Sequence, residues 1–168
     1  MNQGSRVAAG LLAAVLLSAG TALAQGPAAT PTPAPVLAIG DTLPPFDAEG
    51  LDGATQHMDY KKGSATVLLF FLSGCPTCHK MIPEWNRAYE RKPKGLEVKG
   101  VLLDREPPGF FMATPVSFPV LRAPGGEFSR TFKIYRVPMT VRVGPGGKVQ
   151  DVGFGIVDPI RLGEIFRP

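Results

Sequence analysis

Apolar positions along the chain recur in two different patterns. Residues 67–72, VLLFFL, form an unbroken apolar run rich in β-branched and aromatic types, which predicts a buried strand. Ser73 and Gly74 end that run. Beyond them Met81, Ile82, Trp85, Ala88 and Tyr89 recur at three- and four-residue steps, the signature of a helix with one apolar face. Residues 96–103, LEVKGVLL, predict a second core strand. Strand, helix and strand in that order form a right-handed βαβ unit whose strands run parallel.

The flanking segments carry shorter signals. Residues 39–60 hold turns at Pro44-Pro45 and Asp52-Gly53, the second of which predicts a hairpin. Residues 104–112 are Pro-rich and aromatic, with room for a short helix at 109–112; Phe110, Phe111 and Met112 suit either loop packing or the wall of a substrate groove. Residues 116–121 are a short apolar segment, and residues 127–135, with Phe128, Phe132 and Ile134 on one side, predict one or two helical turns. Residues 137–143 and 148–154 flank the Gly-rich turn 144–147 as an antiparallel hairpin. Asp158-Pro159 opens a last helix with Ile160, Leu162, Ile165 and Phe166 as its apolar residues. No internal repeat is present.

The amino-terminal stretch has a different character. Residues 1–24 combine Arg6, a nearly wholly apolar run at 7–19, and the small-x-small site Ala22-Leu23-Ala24, which together predict an export signal. The run is short for a membrane span, so cleavage is the expected fate; left in place, it anchors the domain. Residues 25–38, with prolines at 27, 31, 33 and 35, predict an extended spacer, and residues 39–168 a single domain. The net charge is +4, and Arg6 is the only charged residue of the signal. Basic residues are scattered without aromatic interleaving, which argues against nucleic-acid binding.

Chemistry concentrates at one place. The only two cysteines, Cys75 and Cys78, fall where the core strand passes into the helix, with Pro76 suited to its first position. A helix N-terminus favours an anion, so a thiol there ionises more readily. Cys75 is the candidate nucleophile, and Cys78, one turn on, the candidate resolving thiol. A ring one turn wide constrains little of the unfolded chain, so the pair is chemical rather than structural. Cys75, Cys78 and His79 also satisfy a c-type haem attachment signature, but a strand–helix junction offers no haem cavity. A metal or copper module would need Cys75, Cys78, His79 and the distant His57, a poor donor spacing. A thiol peroxidase would use Cys75 against peroxide, a chemistry that wants a threonine at fixed spacing before the cysteine, where Leu72 and Ser73 stand.

With these residues in view, the chain resembles the thioredoxin-fold, TlpA/ResA-type thiol–disulfide oxidoreductases over residues 39–168. The resemblance rests on Ile39-Gly40-Asp41 with Pro44-Pro45-Phe46 as an entry strand, Leu51-Asp52-Gly53 as a first hairpin, and Lys62-Gly63 as the turn before the core strand. It continues through Cys75-Pro76-Thr77-Cys78, Pro83, Phe118-Pro119-Val120, Pro124-Gly125-Gly126, Val137-Pro138-Met139-Thr140 and Pro145-Gly146-Gly147-Lys148. It implies an α/β, three-layer fold, a central mixed sheet between helices with an amino-terminal extension. It also implies Cys75 and Cys78 as catalytic thiols, Gly74, Pro76 and Thr77 as the active-site loop, and a cis Pro138 beside the pair with Val137 binding the substrate backbone. No organic cofactor and no metal are implied. The implied partners are protein thiols and disulfides and a membrane-bound redox protein, in a periplasmic or other extracytoplasmic space. Three positions depart from the pattern: Gly74 replaces an aromatic residue, and Leu69 and Met81 stand where relatives carry an acid to take the resolving thiol's proton.

Overall fold

The computed structural model describes residues 36–60 and 64–167. The export signal, most of the spacer and the Lys62-Gly63 turn lie outside the described residues.

The element order is β1 (Phe46–Gly50), β2 (Thr55–Met58), β3 (Thr66–Phe71), α1 (Pro76–Glu90), β4 (Glu97–Leu102), α2 (Phe110–Ala113), β5 (Val120–Arg122), α3 (Gly126–Thr131), β6 (Met139–Val143), β7 (Val149–Phe154) and α4 (Pro159–Ile165). One sheet orders the strands β2-β1-β5-β4-β3-β6-β7. β3 runs parallel to β4 and β6 antiparallel to β7, as the βαβ unit and the carboxy-terminal hairpin predict, and β6 also pairs antiparallel with β3. Asp52-Gly53 closes the β1–β2 hairpin.

β3 is buried throughout, and apolar from Val67 onward, because both of its faces are covered. Val67, Leu69 and Phe71 pack with Met81, Ile82 and Trp85 of α1, Phe110 of α2, and Leu162 and Ile165 of α4. Leu68 and Phe70 belong to the opposite cluster, with Phe46, Phe132, Met139 and Val141. The period-two alternation of a strand thus divides one apolar run between two layers.

Two expectations are corrected. Residues 39–40 form a turn rather than an entry strand, with a single bridge from Thr42 to Lys148. Ile160 is 80% exposed. It sits about 200° around α4 from Leu162, whereas Leu162, Ile165 and Phe166 share the inward face. Met112 is 90% exposed while Phe110 is buried, so the aromatic segment divides between surface and core. The short segment 116–121 also supplies a strand, β5, parallel to β4 and antiparallel to β1. Leu37, which the sequence places in the spacer, is 3% exposed and donates its N–H to the carbonyl of Lys133, so packed chain begins before Ile39.

Trp85, fully buried, donates its indole N–H to Thr140 Oγ1 at 2.9 Å and so ties α1 to β6. Thr140→Val, which keeps the shape and loses the acceptor, is expected to cost about 1–3 kcal/mol by leaving the indole unpaired. Thr140→Ser should retain most of the stability. Urea unfolding of both variants decides the matter.

Candidate active site

α1 begins where β3 ends, and its cap is a sulfur. Cys75 occupies the N-cap position in extended backbone conformation, and its Sγ accepts the N–H of Cys78 at 3.2 Å. Pro76 follows as the first helical residue, where its missing N–H costs nothing. Pro76 is exposed and Thr77 half-buried beside it, and Gly74, with open space at its Cβ position, leaves Cys75 unshielded on that side. Cys75 is half-buried, whereas Cys78 points into the apolar cluster beneath α1 and is fully buried. α1 continues through Pro83 to Glu90.

Burial pushes the Cys78 thiol up to about 12. Its hydrogen bond to Cys75 and the negative charges of Cys75 and Asp104 act in the same direction, and a backbone hydrogen bond from Leu72 opposes them. An unfolded thiol ionises near 8.5, so between these values the folded state holds a proton that the unfolded chain has released. The stability this contributes is present in full below about pH 8 and declines as pH rises toward the folded value. The advantage of reduced wild type over Cys78→Ala should therefore be constant to about pH 8 and narrow above it. Tyr60, whose phenol burial also pushes up, is common to both proteins and cancels. Denaturant unfolding from pH 7 to 10 measures the difference.

The second part of the site arrives from β6. Its antiparallel register pairs Met139 with Phe70, bringing the preceding loop to the end of β3 from which the cysteine turn departs. The Val137–Pro138 bond is cis. Val137 and Cys75 pack against the same apolar cluster, and the Pro138 carbonyl accepts the N–H of Gly155 at 2.9 Å. The cysteine pair, the loop Gly74-Pro76-Thr77 and the Val137-Pro138 loop thus converge on one end of the sheet.

His79 and His57 do not form a set with the thiols. His79 lies exposed on α1, where Nε2 donates to the Ser73 carbonyl at 2.6 Å and the ring packs on Phe110 at 5.8 Å. His57 is on β2, its Nδ1 2.7 Å from Asp47. Among the described residues no group of three His, Cys, Asp or Glu side chains is placed to hold a metal ion. Leu69 and Met81 are buried, the sulfur of Met81 accepting the N–H of Val157 at 3.4 Å. One residue near the pair escaped the sequence: Asp104, beyond the end of β4, whose carboxylate binds Ser73.

A central mixed sheet between helices, with a cysteine pair at the start of the helix that follows the buried strand β3, defines a thioredoxin-type fold. The AhpC/TSA family model matches residues 39–152. The chain is 28% identical over 132 residues to the thiol-disulfide oxidoreductase ResA of Oceanobacillus iheyensis, covering 74% of this chain and 69% of that one. It superposes on a DsbE-type thiol:disulfide interchange protein of Chlorobium tepidum with a TM-score of 0.63 and 28% identity, covering 74% of this chain and 91% of the other. StoA of Bacillus subtilis, at 22% identity and a TM-score of 0.62 over 73% of this chain and 96% of that one, shares the fold. The chain belongs to the AhpC/TSA family, on the side of its ResA-like thiol–disulfide oxidoreductases.

Proposed function

We propose that this chain is an exported enzyme that exchanges a Cys75–Cys78 dithiol or disulfide with protein substrates. The observation that carries the reading is the Cys75 sulfur capping α1 at the protein surface, with Cys78 buried one turn behind it. The helix N-terminus and the Cys78 N–H support the Cys75 thiolate. That thiolate attacks a substrate disulfide, forming a Cys75–substrate bond and releasing one substrate thiolate. Cys78 then gives its proton to the released thiolate and attacks Cys75 Sγ. The Cys75–Cys78 disulfide forms, the bond to the substrate breaks, and the second substrate thiolate takes a proton from water. The substrate has gained two electrons and the cysteine pair has lost them. The reverse sequence oxidises a substrate dithiol.

Val137 and Pro138 present the substrate backbone. Among the described residues the Val137 N–H and carbonyl take no backbone partner, which suits them to pair with an extended segment. Electrons pass from sulfur to sulfur, so the cycle calls for no organic cofactor, and a membrane-bound redox protein returns the pair to its working state. Export is supported by the signal pattern of residues 1–24. Intact-mass spectrometry of Cys78→Ser protein recovered from the exporting host tests both parts. A disulfide-linked adduct on Cys75 and a chain beginning at Gln25 are expected; unmodified, unprocessed protein overturns the reading.

A further inference from the structure

The two acids that relatives place near the resolving thiol are replaced here by Leu69 and Met81, yet the fold brings another carboxylate to the turn. The parallel register sets Phe71 beside Leu102, and the Leu103 N–H reaches the Phe71 carbonyl at 3.0 Å, so the ends of β3 and β4 are level. Two residues beyond each strand, Ser73 and Asp104 meet. The Ser73 N–H donates to both carboxylate oxygens of Asp104 at 2.9 and 3.0 Å, and its hydroxyl donates at 2.8 Å. The Ser73 carbonyl is held from the other side by His79. Ser73 is buried and stands two residues before Cys75.

These three hydrogen bonds engage both oxygens of Asp104 and hold the carboxylate in one place. The titratable groups around Cys78 are few. Cys75 lies one turn before it, Asp104 lies beyond β4, and His79, next in sequence, directs its Nε2 to Ser73. β3, α1 and the segment before α4 otherwise present Leu69, Phe71, Met81 and Val157 to the cluster that holds Cys78. Asp104 is thus the one carboxylate whose charge adds to burial in raising the Cys78 thiol.

Resting on the exchange reading above, we propose that Asp104 is a positioning residue of the site: through Ser73 it fixes the turn that presents Cys75, and its fixed charge holds Cys78 back as the second thiol. The test uses the reduced full chain mixed with the aromatic disulfide dithiobis-nitrobenzoate. Attack by Cys75 releases one chromophoric thiolate, and closure by Cys78 releases a second. Asp104→Asn removes the charge and turns one accepting oxygen into an N–H donor, so it also gives up part of the hold on Ser73. Both releases should persist, with the second about two- to threefold faster at each pH below the Cys78 midpoint. The larger thiolate fraction outweighs the lower nucleophilicity of a less basic sulfur. Asp104→Glu, which keeps the charge, should retain the wild-type pH profile. A second release in Asp104→Asn that is unchanged or slower than in wild type, whatever the rate of the first, overturns the proposal and leaves the exchange reading standing. Absence of two-step release from wild type overturns the exchange reading itself.

Discussion

Cys78→Ser protein is expected to accumulate as a mixed disulfide with its substrate, while Cys75→Ser protein shows no exchange above background. The asymmetry follows from where α1 places the two sulfurs. Cys75 caps the helix and is half-exposed, so it meets the substrate and carries the first bond. Cys78 is fully buried and reaches only Cys75, so its loss stops the cycle after that bond has formed. Both changes are nearly isosteric, and at Cys75 a serine oxygen still accepts the Cys78 N–H, so the fold should survive each. Gel shift and mass spectrometry after mixing with a disulfide-bonded protein read the adduct. An adduct on Cys78 in the Cys75→Ser protein would reverse the assignment of roles.

Trp85→Ala is expected to lower stability by about 3–5 kcal/mol, a large part of the roughly 5–15 kcal/mol that holds a domain of this kind folded. Trp85 is fully buried between β3 and the stretch leading into β5, against Phe71 at 6.2 Å and Phe118 at 6.3 Å between ring centroids. Its loss opens a cavity under the helix that carries the cysteines and also leaves the Thr140 hydroxyl without its donor. Exchange activity measured at low temperature, where the variant remains folded, should fall far less than stability. Urea unfolding followed by far-ultraviolet circular dichroism measures the first effect, and steady-state exchange the second.

The centre of the molecule was legible in the sequence for a physical reason. A strand covered on both faces must be apolar at every position, and a helix covered on one face must repeat at three and four, so residues 67–72 and the Met81–Trp85 spacing could be read directly. The cysteine pair lay at the junction of those two patterns, and its surroundings followed from the geometry of a helix start. β5 was not recognised as a strand because three residues are too few to show a period. Ile160 was misread because an apolar residue within the first turn of a short helix fits two faces until its neighbours are known. Asp104 left no signal at all. A single aspartate after a core strand resembles any loop acid, and its meaning comes only from the strand register that sets it against Ser73. The same holds for Trp85 and Thr140, which lie 55 residues apart and meet only in the folded chain.

The central claim is that Cys75 and Cys78 form one reversible two-electron couple. Equilibration of the protein across a series of glutathione buffers, followed by quenching and counting of free thiols, tests it most directly. The expected result is a single transition in which both thiols disappear together, with a tenfold change in the equilibrium for each ~30 mV, and which is lost in the Cys75→Ser protein. A midpoint on the order of −270 mV would mark a reductant, and one nearer about −120 mV an oxidant of exported thiols. Thiols that react one at a time, or no reversible transition across the whole buffer range, would contradict the account.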